Sequence, residues 1–417
     1  MNDESNSPDI GCGPILPTTS RDAKPLRQQI FEYIRASGLV PRMDVAKALN
    51  ISAGSVTTLT QELITAGFLQ EFEGRARDTA RGRPPVALGV APATRLVVGM
   101  KLSDRVHSAV LLDFAGNQLA EASLNSPVLS QHIDIVTDEA ETLLVNLMKN
   151  AGRPRSDVEA IGLGLPGIVD HDTGHVPWSP VLTERDVNVK AHFEARLGLP
   201  VHVDNDANVL TLAELWFGAG RAMSDFAVVT IERGVGMGLV LDNRLFRGGQ
   251  GLGLEVGHTK VQLDGALCRC GQRGCLEAYV ADYALGREAS TALNLDGAVA
   301  TDAGQMLERL YAEAKGGNEA ARAIFHRAGR YLAVALANVS QLFDPAKIIL
   351  SGEHRRFDYF YDEDVLAEMQ KLTLGRGRPP TPVESHTWGD LVWARGAAAL
   401  GLSALTDAVL GEGRVSA

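Results

Sequence analysis

The sequence predicts an α/β body behind a small, mostly helical N-terminal domain. Three observations lead there. Charge is divided along the chain: residues 22–90 hold nine Lys and Arg against seven Asp and Glu, whereas residues 91–417 hold 30 against 41, within a net charge of −11. Residues 25–66 place apolar side chains at helical spacing in three short runs. From residue 91 onward, short apolar runs alternate with glycine-rich turns and longer helical stretches, as in an α/β fold.

Composition narrows the class. At roughly 100–200 residues per domain, 417 residues accommodate two to four domains. A hydrophobic content of 45% and a charged content of 22% exclude a disordered or fibrous chain. The net negative charge argues against an indiscriminate nucleic-acid binder, while the mildly basic head leaves room for a specific one. No apolar run approaches ~18 residues, and the polar N-terminus lacks a basic-then-apolar signal pattern, so a cytoplasmic protein is expected.

Residues 1–21, rich in Ser, Pro, Asp and Gly, read as a disordered tail. Residues 22–90 read as a winged helix-turn-helix. Pro25 opens a helix over 25–37 with Leu26, Ile30 and Ile34 on one face, and Gly38 stops it. A second helix spans 41–49. A third, over 53–66, buries Val56, Leu59 and Leu63 and turns Ser52, Ser55, Thr58 and Gln61 outward, small polar side chains suited to base edges in a major groove. Strands at 68–72 and 86–88 flank a loop with Arg81 and Arg83, which suit a narrow minor groove. Arg81-Gly82-Arg83-Pro84 also reads as a solvated basic turn, and Gly375-Arg376-Gly377-Arg378-Pro379-Pro380 nearly repeats it far from any such helices.

In the body, strands are expected at 96–100, 106–112, 160–165, 201–203, 226–230, 238–241 and 347–350. Helices are expected at 137–149, 207–216, 276–284 and 320–342. Three groups there carry chemistry. Gly162-Leu163-Gly164-Leu165-Pro166-Gly167 follows a strand, and Asp204-Asn205-Asp206 closes another strand and opens a helix. Asn205 and Asp206 can hydrogen-bond a polyol, and Asp206 can serve as a base; the pair equally suits a helix N-cap. Gly234-Val235-Gly236-Met237-Gly238 fits a phosphate cradle or a tight hairpin. Of four cysteines, Cys12 stands alone, while Cys268, Cys270 and Cys275 form Cys-x-Cys-x4-Cys ten residues after His258. This is the Cys3His set of a closed structural zinc site.

These residues resemble the ROK family of bacterial sugar kinases and sugar-responsive repressors. Gly234, Gly236, Gly238, Gly248, Gly253, Gly257 and His258 match its signature, and the Cys-x-Cys-Gly-x2-Gly-Cys-x-Glu run matches its zinc loop. The resemblance implies that residues 91–417 form a two-lobed, actin-like sugar-binding body with a zinc loop at 258–277. It also implies sugar contacts from Asn205, Asp206, Glu255, His258 and Glu277. The winged head resembles the repressor branch.

The family's kinases carry an Asp-x-Gly-Gly-Thr phosphate loop. Counting back from the Asp113-x-x-Gly116-Asn117 turn, that loop falls on Lys101, Ser103, Asp104 and Arg105, which lack the glycines that a close phosphate approach needs. Ser351-Gly352 likewise stands where the family has a nucleotide-side Gly-Gly. The expected function is therefore a sugar-responsive transcriptional regulator without enzymatic activity, repressor by resemblance, acting on operator DNA with a carbohydrate effector. A homodimer or homotetramer is expected, because paired DNA sites need paired heads. An ATP-dependent sugar kinase is the alternative, and a scaffold that has lost sugar binding is a third reading.

Overall fold

Helix α1 (Leu26–Ser37) starts behind Pro25 and ends at Gly38, whose φ of +78° only glycine adopts readily. The computed structural model describes residues 11–15, 24–73, 86–92, 95–126, 128–249, 251, 253–293, 303–352, 363–375, 377 and 379–411. They divide into two units, one of residues 1–224, 241–245 and 390–417, the other of 225–240 and 246–389.

The head belongs to the first unit. After β1 (Val40–Pro41), helix α2 (Arg42–Leu49) closes on Asn50 in the left-handed region, and α3 (Ala53–Thr65) opens on Ser52, whose Oγ accepts from the Ser55 N–H at 3.0 Å. β2 (Leu69–Phe72) and β3 (Ala87–Val90) form the wing as an antiparallel pair, with β1 on the other side of β3. One expectation is corrected. The buried stripe of α3 is Val56, Thr60 and Leu63, with Leu59 only half-buried. Thr60 is tolerated inside because its Oγ1 accepts from Arg42 Nε at 3.0 Å.

The expectation of a disordered tail is corrected at residues 11–15, which are packed. The Cys12, Gly13 and Ile15 N–H groups donate to the carbonyls of Arg35, Trp216 and Arg221 at 3.0, 2.9 and 2.8 Å. A Cβ on Gly11 would lie 2.1 Å from the Arg35 carbonyl, so small residues that lower local hydrophobicity are what let this backbone dock.

The remainder of the first unit is built on a sheet of β4 (Leu96–Lys101), β5 (Val106–Asp113), β6 (Gln118–Asn125), β7 (Val158–Leu165) and β11 (Val201–Asn205) in the order β11-β7-β4-β5-β6. Helix α4 (Ile133–Ala151) covers one face through Leu143, Leu144 and Leu147. A small sheet of β8 (Ile168–Asp170), β9 (His175–Trp178) and β10 (Val187–Asn188) precedes α5 (Val189–Leu197). Helix α6 (Asp206–Phe217) follows β11 directly.

The second sheet orders β12 (Phe226–Ile231), β13 (Val235–Leu241), β14 (Arg244–Phe246), β15 (Ile348–Gly352) and β16 (Val383–Thr387) as β14-β13-β12-β15-β16. The second unit adds α7 (Glu277–Val280), α8 (Asp282–Ala292), α9 (Ala303–Lys315), α10 (Glu319–Phe343) and α11 (Glu363–Leu372). The single helix expected at 276–284 is thus two, because Ala281 takes extended backbone between them.

Helix α12 (Val392–Leu410) returns to the first unit and lies against β4, β7 and α6. The approach needs bare backbone: a Cβ on Gly162 would sit 1.7 Å from the Ala397 carbonyl, and one on Gly99 2.0 Å from that of Ala394. Gly162 and Gly164 therefore lie within β7 and serve packing. The far end of α12 holds the head: Arg27 donates to the Leu410 and Gly411 carbonyls at 2.9 and 2.7 Å, and Gln28 Nε2 to Asp407 Oδ1 at 2.6 Å.

Candidate effector and metal sites

His258, Cys268, Cys270 and Cys275 converge so that one ligand atom from each lies within 4.8 Å of all the others. Cys270 Sγ and Cys275 Sγ are 3.8 Å apart, and Cys268 Sγ is 3.7 Å from His258 Nδ1. A tetrahedral site with Zn–S bonds of ~2.3 Å has S–S edges of about 3.8 Å, so these residues fit a closed metal site. The chain can wrap this tightly because Gly274 has φ +76° and presents its bare Cα to the Gln262 carbonyl, 1.7 Å from where a Cβ would stand. Lys260 Nζ lies 2.9 Å from Cys275 Sγ. With Nδ1 facing the sulfurs, His258 keeps Nε2 for another partner.

Glu277 follows at the start of α7, buried to 9% exposure. Its Oε2 accepts from the Val235 N–H at 3.3 Å and its Oε1 from the Tyr283 hydroxyl at 3.4 Å. Burial first, and then the Cys268 sulfur and the Glu277 carboxylate, push the Tyr283 hydroxyl up, so it remains a donor at neutral pH. Glu255 is exposed and its carbonyl accepts from the His258 N–H at 3.0 Å. The 234–238 stretch proves to be a hairpin: the Glu232 N–H donates to the Gly234 carbonyl at 2.8 Å, and Val235 already pairs with Ile231.

Asn205 and Asp206 stand at the β11–α6 junction of the first unit. Asn205 is the N-cap, its Oδ1 accepting from the Asn208 N–H at 2.7 Å. Asp204, buried, fixes that junction by accepting from the Asn205 N–H and from Asn208 Nδ2 at 2.9 and 2.7 Å. The capping role falls on Asn205, while Asp206 Oδ1 accepts from the next N–H, of Ala207, at 2.9 Å. Burial raises the Asp206 carboxyl above its usual value, and the Lys101 ammonium pulls the other way. Lys101 Nζ itself lies 3.7 Å from the Trp393 ring centroid.

Residues 101–107, where the phosphate loop falls by counting, form a closed turn. The Ser103 N–H donates to His107 Nδ1 at 3.1 Å, and the Arg105 and Val106 N–H groups donate to Ser103 Oγ at 3.3 and 3.1 Å. His107 Nε2 in turn donates to Glu139 Oε2 at 2.9 Å, which also accepts from Ser126 and Gln131. Burial keeps the His107 imidazole below its usual value, against the pull of Glu139, consistent with this neutral tautomer. The Asp113–Asn117 turn used for the counting is present, with both carboxylate oxygens of Asp113 accepting from Asn117 at 2.9 Å.

On α3, Ser52, Thr58 and Gln61 are exposed and Ser55 is half-buried. Ser52 Oγ is engaged as the helix cap and lies 2.8 Å from Ser55 Oγ, so Thr58 and Gln61 have the freer side chains on this face. Arg81 and Arg83 lie outside the described residues. The structure brings Glu255, His258, the cysteines and Glu277 into one unit and Asn205 and Asp206 into the other. No local spacing in the sequence marks Tyr283, His107 or Trp393. No helix among the described residues is long and apolar enough to cross a membrane.

Residues 107–404 match the family model described as "ROK family". The chain is 28% identical over 343 residues to the xylose repressor of Caldicellulosiruptor bescii, covering 80% of this chain and 84% of that protein. The crystal structure of a ROK family transcriptional regulator, a homolog of the E. coli MLC protein, superposes with a TM-score of 0.77 at 25% identity, covering 92% of this chain and 96% of that one. A ROK family glucokinase from Streptomyces griseus, in complex with glucose and AMPPNP, superposes with a TM-score of 0.62 at 28% identity, covering 74% of this chain and 99% of that one.

Proposed function

The chain belongs to the ROK family, and from that premise we propose that it is a sugar-responsive transcriptional repressor that binds operator DNA through its head and is modulated by a carbohydrate. The observation that carries the proposal is the winged helix-turn-helix, built into the same unit as the lobe bearing Asn205 and Asp206. Resemblance to a xylose repressor and to a ROK regulator of transcription supports it. Ser52, Ser55, Thr58 and Gln61 face the major groove in this reading, and Arg81 and Arg83 enter the flanking minor groove.

Asn205, Asp206, Glu255, His258 and Glu277 are the sugar contacts in this proposal. Zinc sits on His258, Cys268, Cys270 and Cys275, where its role is structural: bound metal would fix the loop between His258 and Glu277. A homodimer or homotetramer supplies paired heads for paired half-sites, and operator DNA sets the place of action in the cytoplasm.

Similarity to the glucokinase keeps a kinase reading in view. The turn at residues 101–107 weighs against it, because the N–H groups of Ser103, Arg105 and Val106 already have partners within the turn. Phosphoryl transfer needs such donors on the phosphates.

The test selects bound fragments from the source genome with the full-length chain and titrates sugars and sugar phosphates into the resulting complexes. Release of DNA by one sugar, with no ATP consumption in its presence, is expected. Sugar phosphorylation at ~1–100 per second would replace the proposal with the kinase.

A further inference from the structure

Tyr283 stands on α8, and its hydroxyl lies between two acceptors. It is 3.4 Å from Glu277 Oε1 and 3.6 Å from Cys268 Sγ, while that sulfur is 3.7 Å from the same carboxylate oxygen. The other carboxylate oxygen is held by the Val235 N–H. The ring of Tyr283 is held in turn, with the Arg269 guanidinium carbon 3.9 Å from its centroid, and Arg269 sits between the ligands Cys268 and Cys270.

The Tyr283 O–H is the donor placed to bridge the Cys268 sulfur and the Glu277 carboxylate. Ring packing alone would be served equally by phenylalanine, so the hydroxyl needs a separate reason.

We propose that Tyr283 is a positioning residue. Its hydroxyl sets the Glu277 carboxylate at the angle a sugar hydroxyl requires, and its ring, through Arg269, ties that angle to the cysteine loop. This rests on the reading of Glu277 as a sugar contact.

The experiment uses full-length, zinc-replete protein and calorimetric titration with D-xylose, D-glucose, N-acetylglucosamine and N-acetylglucosamine 6-phosphate, carrying the tightest binder forward. Tyr283→Phe should keep its metal and its melting temperature and bind about ten-fold more weakly, the loss of one hydrogen bond to a charged acceptor. In a Glu277→Gln background the same change should alter affinity less than about two-fold, because the two residues act as one. Undiminished affinity in Tyr283→Phe, loss of its metal, or additive effects in the double variant would each overturn the proposal. A wild-type protein that binds none of the four sugars, or a Glu277→Gln variant with full affinity, would instead overturn the reading of Glu277.

Discussion

The Arg35 guanidinium carbon lies 4.6 Å from the ring centroid of Trp216, joining the DNA-binding head to the body. Arg35 is 3% exposed, donates to Thr406 Oγ1 at 2.8 Å and also faces the rings of Phe31 and Phe114, which stack on each other at 4.9 Å. Trp216 is near the end of α6, and Asp206 is its first residue. One helix of 12 residues, about 18 Å long, therefore runs from the candidate sugar carboxylate to the base of the head.

Replacing Arg35 by Met keeps the apolar stem and removes the charge. A desolvated cation over aromatic rings contributes about 2 kcal/mol, so the stability of the first unit should fall by an amount of that order. Sugar affinity should stay near wild type, while the factor by which sugar changes operator affinity should shrink. Paired titrations of sugar with and without operator DNA measure that factor from both sides, since coupling is reciprocal. An unchanged factor would remove α6 and Arg35 from the route.

One zinc per chain should co-purify, and Cys270→Ser should lose it. With three ligands left, the loop before Glu277 should loosen and sugar affinity should fall together with metal content. Metal analysis of freshly purified protein decides the first point, and a native protein without zinc would refute the Cys3His reading.

Removing Arg81 and Arg83 together should weaken operator binding and flatten its salt dependence, by about 0.9 in log–log slope for each phosphate no longer neutralised. Losses concentrated at A·T-rich sites would instead indicate minor-groove insertion. Anisotropy titrations over a salt series separate the two, and full affinity in the double variant would leave the wing without a role.

Asp206→Ala should weaken the sugar by roughly ten- to hundred-fold, from the ~1.5–3 kcal/mol of a hydrogen bond to a charged acceptor, and leave sugar-free operator binding intact. Burial raises the Asp206 carboxyl, and its charged form is the better acceptor. Sugar affinity should therefore fall as pH drops through that raised value, at a higher pH than for an ordinary aspartate, and Asp206→Asn should flatten the fall. Stability of the sugar-free protein carries the opposite sign: the contribution of this group is present below the unfolded-state value and is lost as pH rises through the folded-state value. An acid limb that survives in Asp206→Asn would assign the titration elsewhere.

What the sequence determined by itself is what local spacing can carry. Helical periodicity in residues 26–65 marked the head, and Asn205-Asp206 after an apolar run marked a strand end opening a helix. The Cys-x-Cys-x4-Cys spacing marked the ligand cluster, because a short loop with glycines at 271 and 274 brings near neighbours together whatever lies around it. Tertiary structure alone decided the rest. His107 meets Glu139 from 32 positions away, and Arg35 meets Trp216 from 181 positions away in sequence. The packed strip at 11–15 and the buried Thr60 belong here too, since composition counts apolar side chains and is blind to a backbone that docks edge-on or a hydroxyl with an arginine waiting. Period and spacing are properties of the chain, whereas a partner for a buried donor or charge exists only once distant segments have been brought together.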